Sequence, residues 1–264
     1  MPDVTVTPNV QSVTVTPTVQ SVSTSSHVGV AAADIDPSVK AFLYSDFNGN
    51  CEPFDICTGT ATQIGTATFS YTNSATTAVL GYLDMTCPKA QGSRVGVFAA
   101  DADTTDVDRT YNVGYGAWDW SARVQFALGD QPQRVVAGFG ITHGPADTTV
   151  GQKRMLQYGA AFVAYGNSGN WIATIADNNV LTEYDTGISS SQWRTLRIAI
   201  NAAFTEINFY VDHALVHTVT SGFWDTSSTT LAWGVELREK KSGGSLTDSR
   251  VLVDFMKLTY TIAR

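Results

Sequence analysis

The chain is poor in charge, in cysteine and in cations. Charged residues fill 15% of its 264 positions, and 24 acidic side chains outweigh 16 basic ones for a net charge of −8. That balance excludes a general binder of nucleic acid or of anionic membrane, because such partners demand clustered cations that displace counterions. The local basic cluster Arg238-Glu-Lys-Lys241 is diluted by Glu239 and reads as a solvated hairpin tip. No apolar run approaches the roughly 20 residues of a membrane-spanning helix, so membrane insertion is not expected. The opening MPDVTVTP has neither the basic nor the apolar region of a secretory signal, so synthesis in a cytoplasm is expected.

Three cysteines, Cys51, Cys57 and Cys87, are too few for a disulfide framework. A Cys51–Cys57 bridge would close a small loop and leave one thiol over, and free, buried or half-buried thiols are the expectation. No Cys-x-x-Cys pair accompanies them, which argues against zinc. The four histidines are scattered. His213 and His217 would stand about 13 Å apart on a strand. A nucleophile elbow, a phosphate-binding loop and a dinucleotide fingerprint are all missing. No 3.6-residue pattern runs beyond about three turns, so helix-rich classes are excluded.

What is present is β-like. In residues 192–219, Leu196, Ile198 and Ile200 alternate with polar or small neighbours, as do Ile207, Phe209 and Val211. A period of two buries one row of each strand. The connectors Asn201-Ala-Ala-Phe-Thr205 and Asp212-His213 are short enough for hairpins, giving a three-strand meander that needs a second sheet over its apolar row. Further strands are expected near 66–72, 78–84, 94–99, 118–127, 133–141, 160–165, 171–176, 230–238 and 249–262. Val251, Val253 and Phe255 share one parity and Leu258, Tyr260 and Ile262 the other, which calls for a β-bulge near Met256-Lys257. Asp36-Pro37 reads as the start of a short helical turn running to Phe42. The pattern predicts an all-β protein: a two-sheet antiparallel sandwich over residues 40–264, preceded by an extended arm over residues 1–39.

The arm carries a repeat. Residues 4–12 read VTVTPNVQS and residues 13–21 read VTVTPTVQS. Two copies are too few for a solenoid. Val4, Val6, Val13 and Val15 have high β propensity, whereas Pro8 and Pro17 interrupt continuous pairing. Two readings stand, an assembly arm that lies on a neighbouring subunit or adds a strand to a sheet edge, and a plain flexible tether.

Gln192-Trp193-Arg-x-Leu196-Arg197-Ile-x-Ile200-Asn201, followed by Ile207-Asn-Phe209-Tyr210-Val211-Asp212, resembles the late strands of the concanavalin A-like lectin and glucanase jelly rolls. The versions found in bacteriophage virion proteins are the nearest in pattern. Asp46-Phe47, Trp118-Asp-Trp120-Ser-Ala-Arg123, Val136-Ala-Gly138-Phe-Gly140 and Val253-Asp254-Phe255 extend the resemblance over most of residues 42–264. It implies a concanavalin A-like jelly roll in a non-enzymatic virion structural protein. Such a protein would be a surface capsid decoration or tail component fastened by its arm to major capsid or tail proteins and to copies of itself, with a trimer by analogy. Behind that leading reading stand a second function, a lectin-like module that binds host cell-surface glycans, and a third, a degenerate glycosidase.

Site residues follow from each reading. Glucanases of this fold place paired acids on one strand as Glu-x-Asp-x-x-Glu. Here Glu236 and Glu239 lack the middle Asp and have opposite parity. Lectins of the fold bind calcium through an acidic stretch. Asp101, Asp103, Asp106 and Asp108 offer four hard oxygen ligands in eight residues, set against a plain solvated acidic loop. Apart from that calcium candidate, no cofactor is expected. For ring stacking on a sugar the candidates are Trp118, Trp120 and Trp171, while Trp193, Trp224 and Trp233 sit in apolar patterns and are expected in the core.

Overall fold

The structure is a computed structural model that describes residues 40–47, 55–59, 68–73, 81–87, 94–98, 116–129, 133–140, 158–166, 168–178, 180–224, 233–239 and 248–262. Among them there is no helix. The strands are β1 (Lys40–Ser45), β2 (Asp55–Gly59), β3 (Thr68–Asn73), β4 (Gly81–Cys87), β5 (Arg94–Phe98), β6 (Gly116–Leu128), β7 (Gln133–Phe139) and β8 (Gly159–Tyr165). They continue as β9 (Asn170–Asp177), β10 (Val180–Ser189), β11 (Arg194–Ile200), β12 (Ile207–Val211), β13 (Ala214–Val219), β14 (Trp233–Glu239) and β15 (Ser249–Ile262). One sheet has eight strands in the order β13-β12-β11-β6-β15-β4-β3, with β1 also paired to β15. The other has seven, in the order β10-β9-β8-β7-β14-β5-β2. All their pairings are antiparallel.

Alternation decides what lies between the sheets. Trp118, Trp120, Ala122, Val124 and Phe126 of β6 face inward together with Leu196, Ile198 and Ile200 of β11 and Ile207, Phe209 and Val211 of β12. The opposite wall is built by Val135, Ala137 and Phe139, by Phe162, by Trp171, Ala173 and Ile175, and by Trp233, Val235 and Leu237. Aromatic rings join the two walls. Trp118 meets Trp233 edge-on at 5.4 Å, and Phe162 meets Phe209 at 5.3 Å. These are the T-shaped arrangements that ring quadrupoles favour.

The meander forms as expected, and its turns show why it lacks an Asn-Gly pair. Asp212 and His213 both take positive φ, 48° and 70°, as a two-residue hairpin turn requires. Asp212 is held there because its carboxylate accepts from the Thr195 backbone N–H at 2.9 Å and from Arg194 at 2.8 Å. In the other turn Asn201 Oδ1 accepts the N–H groups of Thr205 and Glu206, at 2.8 and 3.2 Å. A tight approach also brings β7 to β8. A Cβ on Gly140 would lie 1.8 Å from the Tyr158 carbonyl oxygen, at φ +86°, so no other residue fits there without backbone movement.

Three expectations are corrected. Lys40, Ala41 and Phe42 are not helical but begin β1, because their backbone pairs with Thr261, Tyr260 and Thr259 of β15. The bulge in β15 falls at Asp254, between Val253 and Phe255, two residues ahead of the expected place. It resets the parity so that Val253 and Met256 both reach the core. Strands β1, β2 and β10 were not anticipated. β10 is exposed along much of its length and therefore lacks an apolar row.

Candidate functional site

Residues that face away from the core on the seven-stranded sheet form two zones. Across its centre Glu236 and Arg238 stand two apart on β14, hence on one side of the strand. Both are buried, Glu236 at 1% exposure. Arg238 donates to Glu236 Oε1 from Nη2 at 2.9 Å and from Nε at 3.2 Å, while Glu236 Oε2 is buried without a hydrogen-bond partner. Val136, Ala161 and Thr174 of the same face are buried as well, which closes this zone.

The second zone spans β8, β9 and β10 and is open. Tyr165 donates its hydroxyl to Glu183 Oε1 at 2.5 Å, and the Arg134 guanidinium lies 4.6 Å from the centre of its ring. Burial, then the hydrogen bond to Glu183 and its charge, hold the phenol well above its ordinary range, against the opposing pull of Arg134. Burial in turn lowers the Arg134 guanidinium. Beside this pair Asn170 Nδ2 donates to both oxygens of Asp185, at 3.0 and 3.3 Å, and the Gly187 backbone N–H donates to Asp185 Oδ1 at 2.8 Å. Glu183 and Asp185 are exposed, and Tyr165 and Asn170 half-buried. The zone thus offers an aromatic ring, two carboxylates and an amide, all held on strands.

The two zones do not combine into an acid pair. Glu236 on β14 and the acids of β10 are four strands apart, about 19 Å at the spacing of paired strands. Glycoside hydrolysis needs carboxyls about 5 to 9.5 Å apart. Among the described residues no group of three or more metal-ligating side chains converges.

Four of the six tryptophan assignments change. Trp118, Trp120 and Trp171 are not stacking platforms: they are 5%, 0% and 0% exposed, because each shares the inward parity of its strand. Trp224 and Trp233 are in the core as expected. Trp193 is half-buried on the outer side of the eight-stranded sheet, where Arg123 lies 5.4 Å over its ring and Tyr82 meets it at 6.1 Å. That outer side is laced with ion pairs. Arg197 Nε lies 3.0 Å from each oxygen of Asp119, Arg123 pairs with Asp254 at 2.9 Å, and Arg250 grips Asp84 with two nitrogens. Arg197 also covers Tyr210 at 4.6 Å. Every one of these charges is engaged, so the surface reads as scaffold.

The remaining candidates fall elsewhere. Asp101, Asp103, Asp106 and Asp108 lie outside the described residues, as do Val4, Val6, Pro8, Val13, Val15, Pro17 and Cys51. Cys57 falls in β2. Cys87 is a buried thiol that donates to the Leu237 carbonyl at 3.4 Å. His213 is in its turn, and His217 stacks on Tyr184 at 4.2 Å. Tyr165, Asn170, Glu183 and Asp185 escaped the sequence reading. The usable signal was Thr-Glu183-Tyr-Asp185-Thr, whose period of two puts both acids on one face.

No protein-family model and no curated protein matches the chain in sequence. Solved structures do match. A protein of unknown function from Shewanella oneidensis superimposes with a TM-score of 0.56 at 12% identity, over 85% of this chain and 87% of that one. An endo-1,3-beta-glucanase from Streptomyces sioyaensis gives 0.52 at 14% identity, over 88% and 100%. A beta-glucanase from Bacillus licheniformis gives 0.50 at 17%, over 83% and 97%. These likenesses establish the fold, a concanavalin A-like jelly roll.

Proposed function

We propose that the protein is a non-catalytic, lectin-like carbohydrate-binding module whose ligand lies on the outer face of the seven-stranded sheet, over β8, β9 and β10. The observation that carries this reading is the side-by-side fixing of Tyr165 on Glu183 and of Asn170 on Asp185. Carboxylates and amides bind vicinal hydroxyls in pairs, and a tyrosine ring covers the C–H face of a sugar. Rigid strands hold these groups in place before the ligand arrives, which lowers the entropic cost of binding. Two of the structural neighbours are beta-glucanases, which favours a saccharide ligand on this fold. The absence of catalysis is supported by Glu236 being tied to Arg238 and by its distance from the acids of β10.

A glycan array probed with the full chain, with and without calcium, tests this reading. Binding of at least one glycan class is expected, together with no cleavage of β-1,3-glucan. An array without any specific signal contradicts it. A loss of signal when calcium is removed would establish a calcium requirement, for which Asp101, Asp103, Asp106 and Asp108 are the candidate ligands.

The repeat in residues 4–21 favours a second, compatible reading, in which the sandwich is the exposed body of a virion structural protein, fastened by its arm to capsid or tail proteins. Deleting residues 1–35 is then expected to leave the sandwich folded and to abolish incorporation into the particle. Normal incorporation of the truncated chain refutes that reading.

A further inference from the structure

We infer that the outer edge of β10 receives a Val-Thr-Val-Thr segment, residues 4–7 or 13–16, from a second copy of this chain as an added β-strand. This inference stands independently of the carbohydrate reading.

Among the described strands, β10 and β13 end their sheets on the same flank of the sandwich, where Tyr184 of β10 and His217 of β13 stack at 4.2 Å. An edge strand presents a row of unpaired N–H and C=O groups, and proteins normally blunt such a row with bulges, prolines or lysines. β13 is blunted in this way: His217 pairs with Phe209 and Leu215 with Tyr210, which leaves Val216 as a bulge. β10 is not. Its register runs unbroken from Val180 to Asp185 and shifts only beyond, near Gly187 at φ +70°. It contains no lysine, arginine or proline. Its two acids do not guard the edge either, since Glu183 is engaged by Tyr165 and Asp185 by Asn170 on the sheet's face. Apolar surface is left open beside them, with Val180 69% and Tyr184 45% exposed.

The arm's chemistry matches this edge. Each Val-Thr-Val-Thr segment is four residues long, fits within the six regular residues of β10, and ends at a proline that stops the ladder. Residues 4–21 carry no charge. Alternation places the segment's valines on one side of the added strand and its threonines on the other. On β10, Val180, Thr182 and Tyr184 share one parity and Leu181, Glu183 and Asp185 the other, so valines set beside Val180 and Tyr184 leave the threonines beside Glu183 and Asp185. Each chain carries two such segments, so one remains for a second copy even where the other is engaged. The 39 residues ahead of β1 can extend to roughly 130 Å, which is reach enough for a second copy.

The experiment combines sedimentation with hydrogen–deuterium exchange on the full chain over a wide concentration range. Three forms are compared: wild type, the arm variant Thr5→Pro with Thr14→Pro, and the edge variant Tyr184→Lys. The arm variant leaves every sandwich residue unchanged, and circular dichroism checks the fold of the edge variant. The wild type is expected to self-associate, with the amides of residues 180–185 gaining protection as concentration rises. Each variant should weaken association about tenfold or more and return those amides to fast exchange. Any of three results overturns the inference. They are a wild type that stays monomeric, an assembly that leaves exchange in β10 unchanged, and protection of β10 that is independent of concentration, which would place the chain's own arm on the edge.

Discussion

Tyr165 on β8 reaches past β9 to donate its hydroxyl to Glu183 on β10 at 2.5 Å, while Arg134 on β7 lies over its ring at 4.6 Å. One side chain thereby links β7, β8 and β10 of the seven-stranded sheet, and its ring is fixed from two directions. Burial and Glu183 raise the folded-state ionisation of this phenol above its unfolded value of about 10. A raised phenol contributes stability that is fully present below the unfolded value and is lost as pH rises through the folded one. Tyr165→Phe should therefore destabilise the protein at pH 7, and its deficit should shrink when chemical denaturation is repeated well above pH 10. A deficit independent of pH would show that Glu183 does not act on the phenol.

The buried pair on β14 gives a different signature. Glu236→Gln breaks a buried ion pair by removing one partner, and a loss of about 3 to 5 kcal/mol is expected. Replacing both residues by apolar ones of similar volume should cost far less, because desolvation of the two charges disappears with them. Urea denaturation of the single and double variants measures the difference. Equal losses in both would mean that the ion pair stabilises the sheet in its own right.

Core and surface tryptophans should separate cleanly. Trp120→Ala empties a fully buried site and should cost about 3 to 5 kcal/mol. Trp193→Ala removes a half-buried ring and its contact with Arg123, for about 1 kcal/mol or less. Thermal denaturation of the two variants checks the order. A reversed order would refute the parity assigned to β6.

Asp254 sits in the bulge of β15. Burial raises its carboxyl, an effect that Arg123 opposes and Asp46 reinforces. A carboxyl raised in the folded state contributes stability below its unfolded value, near 4, and loses it as pH rises through the folded value. Asp254→Asn should thus gain stability relative to wild type between pH 3 and pH 7. A relative loss over that window would mean that the Arg123 hydrogen bond at 2.9 Å outweighs desolvation.

Much of the sandwich was legible because its central strands alternate. β6, β11 and β12 carry a strict apolar row, and the parity switch in β15 announced its bulge. What stayed hidden has physical causes. β10 is an exposed edge whose residues need no apolar row, so Glu183 and Asp185 were overlooked with it. A tryptophan beside an aspartate, as in Trp118-Asp119-Trp120, looks like a binding platform in one dimension. On a strand, alternation sends Asp119 outward to Arg197 and both rings into the core. Tyr165 follows six small or apolar residues of β8, and only the register of β7, β8 and β10 brings it to Arg134 and Glu183.

The central claim is a saccharide on β8, β9 and β10, and isothermal titration of the strongest glycan-array hit tests it most directly. The wild type is compared with Tyr165→Ala, with Asp185→Asn and with Trp193→Ala, which lies on the other sheet. The account predicts that the first two lose affinity by about tenfold or more while the third binds as the wild type does. Unchanged affinity in Tyr165→Ala and Asp185→Asn would contradict it.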